Sequence, residues 1–397
     1  MQIGVDANCW ANRRGYGRFT RELLRALLQA DRRSAYCFFL DGGTKQQAAD
    51  IPDSVKQVIV ATSRAAVEAA SASGRRSLRD LWAMSEAVRR HRPALDLFYF
   101  PSVYTFYPTR IKAPIAVSIH DTIPERHPEL VFSGRVPRLM WALKVRWAVR
   151  QAAVILTGTE TSRRAIADHF RLPDTRVRVV PDAASPIFHV IEDPGPTRQV
   201  LARYGIAPHE RYILYVGGIS PHKNLATLLE AYALLTADHS DGSPRPKLVL
   251  VGDYQRDVFL SSYQALRRRV EALGLEGQVL FTGFAPDDEL VFLYNGAELL
   301  VMPSFDEGFG LPAVEAMACG TPVVASRAGA LPEVVGSAGA FFDPGSPAEL
   351  KICLERLLRD DDERSALRGR GLRRAGAFSW EQSAAAALAV FEEMARR

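Results

Sequence analysis

The chain has 397 residues, of which 47% are hydrophobic and 24% charged, and its formal net charge is +5. This length predicts about two domains, because single hydrophobic cores stop growing beyond roughly 250–300 residues. The apolar content excludes a disordered or fibrous chain. No apolar run approaches the roughly 20 residues that span a bilayer.

The N-terminus and the cysteines favour a reducing compartment. Residues 1–6 are typical of a first strand rather than of a signal peptide. The cysteines are far apart and lack Cys-x-x-Cys spacing, which argues against a disulfide framework or a zinc site; they are Cys9, Cys37, Cys319 and Cys353. We therefore expect a cytoplasmic protein.

The small net charge conceals an asymmetry between the two halves. Residues 1–190 carry 29 Lys and Arg against 17 Asp and Glu, a net of +12, whereas residues 191–397 carry 21 against 28, a net of −7. The first half is therefore expected to face something anionic, such as nucleic acid, phospholipid headgroups or a phosphorylated substrate, unless its arginines are merely solvated. Composition does not choose among these.

In chain order, strands and helices alternate from end to end. The first half predicts strands at 2–7, 35–40, 55–60, 95–100, 114–119 and 152–157, with helices at 17–30, 77–91, 135–150 and 161–170. The second half predicts strands at 211–216, 247–251, 278–282, 298–302 and 322–325, with helices at 224–237, 257–273, 286–296, 312–319 and 379–396. This rhythm predicts an α/β chain of two Rossmann-like, doubly wound parallel sheets.

A proline-rich polar stretch separates the halves. We place the linker near 184–198, and we predict domains at 1–190 and 191–377 with a closing segment at 378–397. Two doubly wound domains would face each other across a cleft, with ligands at the carboxyl ends of the strands.

The most informative segment is ELLVMPSFDEGFGLPAVEAMACGTPVVAS at 298–326. Gly308 and Gly310 let backbone approach a ligand, and the helix start near Pro312 favours a phosphate. Glu307 and Glu315 frame this cradle. Because phosphate repels a carboxylate, each is expected to bind hydroxyl groups of a sugar or ribose; a Gly-rich turn with a helix-start Glu is the plain structural alternative.

A second motif, VGGISPHKN at 216–224, ends a strand and opens a helix. Gly217, Gly218 and Lys223 predict a second anion site, with Lys223 as the point charge. The spacing is neither that of a Walker A loop nor that of a Gly-x-Gly-x-x-Gly dinucleotide fingerprint.

These residues resemble glycosyltransferase family 4, retaining enzymes of GT-B fold that use nucleotide-sugar donors, with a leaning to the mannosyl- and rhamnosyltransferase branch. The pattern P-S-x-x-E-G-F-G-L-P-x-x-E-A-M-A-x-G-x-P-V carries the likeness, and Glu307 and Glu315 match its E-x7-E pair. The segments VLFTGF at 279–284, ALPEVVG at 330–336 and FSWEQSA at 378–384 also fit the family pattern. In such a fold, the final helix crosses back to the N-terminal domain.

The resemblance implies roles for individual residues of the second domain. Glu307 would approach the donor sugar, Glu315 the ribose hydroxyls, and Lys223 the diphosphate. The remaining donor-binding residues would be Gly217, Gly218, Ser220, His222, Thr282, Gly283, Phe284, Gly308, Phe309, Gly310 and Leu311. Gly218 and His222 replace arginines found in many members, so the diphosphate would depend more on Lys223 and backbone amides.

In the first domain, the resemblance points to two segments. His120 and Asp121, at the end of a predicted strand, resemble the His-Asp pair of the mannosyl- and rhamnosyltransferase branch: His120 would contact the donor sugar, and Asp121 would orient His120 or the acceptor. The turn containing Gly15, Tyr16 and Gly17 resembles the family's acceptor loop, although any strand–helix turn favours glycine.

The resemblance implies retention by front-face attack, with Glu307, His120 and Lys223 as catalytic residues. No metal is expected, because Asp-x-Asp occurs only within the acidic run 360–362. GDP-mannose is the favoured donor, with UDP- and dTDP-sugars as alternatives, and a non-enzymatic sugar-binding scaffold remains a rival. No cofactor other than the donor substrate is expected.

Two Arg-rich segments bear on the partners of the first domain. RRSLRDLWAMSEAVRRHR at 75–92 and RVPRLMWALKVRWAVR at 135–150 mix arginines with Trp and Leu, as helices lying on an anionic membrane do. Packing on the sheet is the alternative. If an apolar face stays exposed after these helices pack on the sheet, we expect a peripheral protein at the inner leaflet of the membrane. Its acceptor would then be a glycan linked to polyprenyl diphosphate. No nucleic-acid motif is present.

Overall fold

The computed structural model describes residues 1–48, 50–63, 65, 77–237, 245–254 and 261–396. The chain forms two compact units, one of Met1–Asp182 with Trp380–Arg397 and the other of Ala183–Ser379. Each unit is built on one parallel sheet whose strands are connected by helices. The predicted α/β architecture with two doubly wound sheets is confirmed.

The first unit contains seven strands and, up to residue 182, seven α-helices among its described residues. These elements are β1 (Gln2–Asp6), α1 (Gly15–Ala30), β2 (Ala35–Asp41), α2 (Gly42–Gln47), β3 (Lys56–Val60), α3 (Leu78–Arg90), β4 (Leu97–Phe100), β5 (Ile115–Ser118), α4 (Ile123–Arg126), α5 (Pro128–Val131), α6 (Arg135–Gln151), β6 (Ala152–Thr157), α7 (Glu160–Phe170) and β7 (Val177–Val179). Arg75 and Arg76 of the predicted basic segment lie outside the described residues.

The strand order of the first sheet is β3-β2-β1-β4-β5-β6-β7. The order reverses between β1 and β4, which pair in parallel with Val5 opposite Tyr99. Loops that leave the carboxyl ends of two such strands diverge, and this switch point is where open α/β sheets bind ligands.

The second unit contains six strands and eight α-helices among its described residues. They are α8 (Pro194–Arg203), β8 (Tyr212–Val216), α9 (Leu225–Ala237), β9 (Lys247–Val251), α10 (Tyr263–Ala272), β10 (Val279–Gly283), α11 (Asp287–Gly296), β11 (Leu299–Met302), α12 (Leu311–Ala318), β12 (Val323–Ser326), α13 (Leu331–Val335), β13 (Gly339–Phe342), α14 (Pro347–Arg359) and α15 (Asp361–Ala375). Residues 257–260, the predicted start of the helix at 257–273, lie outside the described residues.

The second sheet repeats the topology of the first, with strand order β10-β9-β8-β11-β12-β13. Its switch point lies between β8 and β11, where Leu299 pairs with Ile213 and Leu300 with Leu214. The central strands β8, β9, β11 and β12 are buried between two apolar clusters, as their continuous apolar sequences require.

The linker predicted near 184–198 is part of the second unit. Phe188 packs its ring on Tyr294 at 5.6 Å between centroids, and the Asn295 side chain hydrogen-bonds to the Ile191 amide at 2.8 Å. Helix α8 begins at Pro194, where the Asp193 carboxylate caps the Gly195 amide at 2.9 Å. The boundary thus falls at 182/183 rather than 190/191, because prolines that suggested a linker occupy the first turn of a helix, where they are favourable.

The last helix, α16 (Trp380–Ala395), belongs to the first unit. Phe391 packs against Tyr99 of β4, and Ser383 Oγ donates to the Pro181 carbonyl at 2.6 Å. The second boundary is at 379/380, two residues after the predicted 377/378.

Candidate functional site

Two loops leave the switch point of the second sheet and carry the two sequence motifs. Residues 217–224 follow β8, and residues 303–310 follow β11. The Phe305 amide donates to the His222 carbonyl at 2.9 Å, so the loops are joined by backbone. The Asn224 side chain strengthens the junction by donating to the carbonyls of Pro303 at 3.0 Å and Pro344 at 2.8 Å.

Lys223 and Glu307 form an ion pair at this junction. Lys223 Nζ lies 2.7 Å from Glu307 Oε1, with 20% of the lysine and 8% of the glutamate side chain exposed. Ser304 Oγ donates to the same oxygen at 2.6 Å. The sequence predicted both residues at a ligand site, and the structure brings them into direct contact.

The electrostatics keep Glu307 ionised. Burial by itself would raise the pKa of this carboxyl, but the charge and hydrogen bond of Lys223, with the Ser304 hydroxyl, outweigh burial and hold it below its ordinary value. The fixed carboxylate can stabilise a cationic centre, and the partly exposed ammonium beside it can stabilise an anion.

The backbone around Glu307 is braced by a turn that the sequence analysis did not assign to the site. Gly329 has φ +56°, and a Cβ there would lie 2.5 Å from the Glu307 amide nitrogen and 2.4 Å from Asp306 Oδ1. The Ala330 amide donates to the Glu307 carbonyl at 2.9 Å. The signal was the Gly-Ala-Leu-Pro sequence at 329–332, which marks a turn before a helix.

The glycine-rich loop ends in a left-handed turn at the start of α12. Gly310 has φ +91°, and a Cβ there would lie 2.6 Å from Leu331 Cδ2. Gly308 precedes it in the loop. The side chains of Phe309 and Leu311 are buried in the core. Backbone amides, rather than these two side chains, are the groups that the loop can offer a ligand.

Glu315 lies one turn into α12 and is completely buried. The hydroxyl of Tyr294, on α11, donates to its Oε2 at 2.8 Å. The predicted contact of Glu315 with ribose hydroxyls stays a prediction; the structure shows an interior carboxylate that joins α12 to α11.

The glycine motif after β8 is also tightly packed. Gly217 donates its amide to the Val251 carbonyl, and a Cβ on Gly252 would lie 2.1 Å from the Gly217 carbonyl oxygen. Tyr215 donates its hydroxyl to the Gly218 carbonyl at 2.7 Å. Ser220 Oγ lies 3.2 Å from His222 Nδ1, which couples those two predicted donor-binding side chains.

Three predicted donor-binding residues, Thr282, Gly283 and Phe284, lie at the end of β10 and directly after it. Gly283 has φ +79°, and its carbonyl accepts from the Gly252 amide at 3.0 Å, while Thr282 lies beside it in β10. Phe284 is 40% exposed. Tyr254, which the sequence analysis did not select, stacks on Tyr263 at 4.1 Å with its Cε1 3.8 Å from a Cβ built on Gly283.

In the first unit, His120 follows β5 in a partly buried position. Burial lowers the pKa of its imidazole to about 4, against the opposing effect of a hydrogen bond to the Pro101 carbonyl. Nε2 has no hydrogen-bond partner among the residues that the structure describes. In the neutral imidazole one ring nitrogen carries the proton and the other accepts, so Nε2 can accept a hydrogen bond in the Nδ1-protonated tautomer. Asp121 Oδ1 caps the Ile123 amide at 2.9 Å.

The predicted acceptor loop forms the first turn of α1. Gly15 begins the helix, and a Cβ on Gly17 would lie 2.1 Å from the Asn12 carbonyl oxygen. The Tyr16 ring stacks on Tyr104 at 4.7 Å, after β4. These residues belong to the first unit, whereas Lys223 and Glu307 belong to the second.

Helix α6 carries an apolar face that points into solvent. Its inner face packs on the unit through Trp141 and Val145. The outer face keeps 52–60% of each large apolar side chain exposed at Val136, Leu139, Met140, Leu143 and Trp147. On α3, Leu78 and Trp82 are likewise exposed. Within the described part of the chain, no helix has the length and hydropathy to cross a membrane.

Two protein-family models together match nearly the whole chain. The family model described as Glycosyl transferases group 1 matches residues 198–374, and that described as Glycosyltransferase Family 4 matches residues 13–185.

Two curated relatives come from Escherichia coli. O-antigen chain mannosyltransferase B is 35% identical over 291 residues, which cover 72% of this chain and 71% of that protein. Serotype-specific mannosyltransferase WbdA is 31% identical over 276 residues, 69% of this chain but only 33% of that longer protein.

A solved structure shows the same fold. HepE of Anabaena, in complex with UDP-glucose, superposes with a TM-score of 0.72 at 21% identity, covering 98% of this chain and 99% of HepE. This likeness confirms the predicted GT-B fold.

Proposed function

The chain belongs to glycosyltransferase family 4, and from that membership we propose that it transfers mannose from GDP-mannose to a glycan acceptor. The transfer retains the anomeric configuration and needs no metal. The acceptor is a glycan carried on polyprenyl diphosphate, used in the synthesis of a cell-surface polysaccharide. The names of the two Escherichia coli mannosyltransferases support both the sugar and the product class.

The observation that carries the proposal is the Lys223–Glu307 pair at the switch point of the second sheet, 2.7 Å apart. The diphosphate of the donor would bind at the glycine loops and share Lys223, which stabilises the charge that develops on the leaving group. Glu307, ionised and fixed by Ser304, would stabilise positive charge on the sugar. The leaving phosphate would take the acceptor proton.

His120 would take part as a neutral hydrogen-bond acceptor. Its unpartnered Nε2 suits a sugar hydroxyl, and its lowered pKa keeps the ring uncharged at neutral pH. Asp121, with Gly15, Tyr16 and Gly17, remains the proposed acceptor and diphosphate segment.

A UDP-sugar is the second candidate donor, because HepE was solved with UDP-glucose. A melting-temperature screen with GDP-mannose, UDP-glucose and dTDP-sugars separates the candidates, since a ligand at about 100 times its Kd stabilises by about 2.7 kcal/mol. The largest upward shift should come with GDP-mannose. An equal or larger shift with UDP-glucose contradicts the proposed donor, and no shift with any sugar nucleotide favours the rival scaffold.

Peripheral association with the inner leaflet forms part of the proposal. The exposed apolar face of α6 is flanked by Arg135, Arg138, Arg146 and Arg150, which suits an anionic bilayer surface. Binding to vesicles containing phosphatidylglycerol should weaken as salt rises, because ions screen exposed charges. Equal binding to neutral phosphatidylcholine vesicles would contradict the electrostatic part.

A further inference from the structure

A cavity of about 160 Å³ opens on the first unit beneath the basic edge of α6. On the same measure, a cavity that holds one water needs roughly 10–15 Å³, so this one has room for a phosphate group. Its apolar walls come from Phe132, Trp141, Val145 and Phe170.

Three basic side chains line the cavity: Arg138, Arg146 and His169. Neither guanidinium has a carboxylate partner within 4 Å among the described residues, although many of this protein's arginines do. Burial, and to a lesser degree the Arg146 charge, lower the pKa of His169 below its ordinary value, which favours the neutral imidazole. Guanidinium groups bind phosphate oxygens in pairs of parallel hydrogen bonds.

The one acidic residue that lines the cavity does not fully offset the charges of the two arginines. Glu125 Oε1 accepts from Trp141 Nε1 at 2.7 Å, and burial raises the pKa of its carboxyl to about 7. At neutral pH the raised pKa therefore favours the protonated carboxyl more than in an exposed glutamate. A protonated carboxyl can donate a hydrogen bond to a phosphate oxygen.

The cavity lies next to the outward apolar face of α6. Arg138 and Arg146 are on the helix edge between the buried face, with Trp141 and Val145, and the exposed face, with Leu139 and Leu143. A phosphate held by the arginines would leave hydrocarbon attached to it free to run beside the exposed face.

We propose that this cavity is a binding site for the phosphate headgroup of one anionic membrane phospholipid, whose acyl chains lie along the exposed face of α6. The site rests on the proposed membrane association and adds a saturable lipid contact to it. Diffuse attraction to a charged surface would need the basic residues but not a cavity.

Two charge-matched double variants test the site. Arg138→Gln with Arg146→Gln removes the two guanidinium groups of the cavity, and Arg135→Gln with Arg150→Gln removes two exposed arginines of the same helix that do not line it. On vesicles of phosphatidylcholine with phosphatidylglycerol, the first variant should bind about tenfold more weakly than the second, since charge-assisted hydrogen bonds exceed screened charges. Equal losses overturn the site but leave membrane association intact.

Calorimetry on the unmodified protein gives a readout that does not depend on the variants. Monomeric dihexanoyl phosphatidylglycerol should bind saturably at one site, and dihexanoyl phosphatidylcholine and glycerol 1-phosphate about tenfold or more weakly. Tight glycerol phosphate binding would assign the site to a soluble phosphate ester. Preference for farnesyl phosphate would assign it to the lipid-linked acceptor, and either result overturns the phospholipid assignment.

The activity of the cavity variant separates a test of the phospholipid site from a test of the proposed transfer reaction. Release of GDP from GDP-mannose should be unchanged in the Arg138→Gln/Arg146→Gln variant, because neither arginine is among the residues placed at the donor site. Loss of GDP release would show that the cavity serves the transfer reaction itself, contrary to the inference. Loss of vesicle binding by the unmodified protein would remove the membrane association and the site together.

Discussion

Replacing Lys223 with Met should destabilise the second unit mainly through the carboxylate that it leaves behind. Glu307 is 8% exposed and would lose its 2.7 Å cation while keeping the Ser304 hydroxyl at 2.6 Å. Removing one partner of a buried ion pair typically destabilises by about 3–5 kcal/mol. Because Lys223 is itself 20% exposed, we expect the lower end, about 3 kcal/mol.

For a unit of this size, about 3 kcal/mol corresponds to a fall in Tm of about 6–12 °C. The fall should depend on pH in a defined direction. In the unmodified protein the pKa of Glu307 is lowered. Its contribution to the free energy of unfolding is therefore present above about pH 4.3, the pKa of a glutamate in the unfolded chain, and is lost as the pH falls below that value. Without Lys223, burial raises that pKa, so the deficit is full at pH 7–8 and shrinks towards pH 4.

Thermal unfolding of the full chain, followed by calorimetry, measures this effect. Lys247→Met is the matched control, because Lys247 pairs with Glu210 at 2.8 Å but both side chains are 26% exposed, so a loss of about 0–1 kcal/mol is expected. Adding Glu307→Gln to Lys223→Met should recover part of the lost stability. A deficit that is equal at pH 4 and pH 8, or no recovery in the double variant, would refute the role of the stranded carboxylate.

Three further predictions concern single side chains. Tyr294→Phe removes the hydroxyl that donates to Glu315 Oε2 and should destabilise by about 1–3 kcal/mol; in denaturant unfolding the loss should exceed that of Tyr232→Phe, whose hydroxyl donates to the Pro246 carbonyl, and equal losses would contradict a stronger hydrogen bond to the carboxyl. Gly310→Ala should lower Tm more than Gly205→Ala, because both glycines have positive φ but only Gly310 meets a side chain, Leu331, at 2.6 Å; equal shifts would mean that the loop moves aside. His120 should titrate near pH 4 by NMR, so its contribution to stability falls as pH drops from 6.5 to about 4; a midpoint near 6.5 would contradict the neutral acceptor proposed for it.

The sequence predicted the core of each sheet but missed both far edges. Strands β7 and β13 lie at the ends of their sheets and contain three and four residues. Such edge strands have a neighbour on one side only, so the long apolar run that marks a buried strand is absent. The central strands were predictable because burial on both faces requires continuous apolar sequence.

Proline is favourable both in a linker and in the first turn of a helix, so the prolines of this stretch did not distinguish the two. Pro194 and Pro196 suggested a linker, yet they occupy the first turn of α8, where the missing amide hydrogen is not needed. No local pattern shows that Phe188 would reach Tyr294, because that contact joins residues far apart in the chain.

At the candidate site, residue types were predictable and contacts were not. The sequence places Glu307 in the loop before α12 and Glu315 one turn into that helix, but it does not show that Glu307 meets Lys223 while Glu315 is enclosed beside Tyr294. Likewise, helix periodicity showed that α6 is basic and apolar, whereas only the packed unit shows which apolar side chains stay exposed.

Turnover of GDP-mannose by the unmodified protein and by Glu307→Gln tests the central claim most directly. With a polyprenyl-diphosphate-linked glycan as acceptor, the unmodified protein should release GDP and form an α-linked mannoside, as in the donor. Glu307→Gln should keep GDP binding and lose about 100-fold or more in kcat, because it removes the charge that we propose stabilises the reacting sugar. Transfer at an unchanged rate in Glu307→Gln, or a β-linked product, would contradict the proposed chemistry of this site.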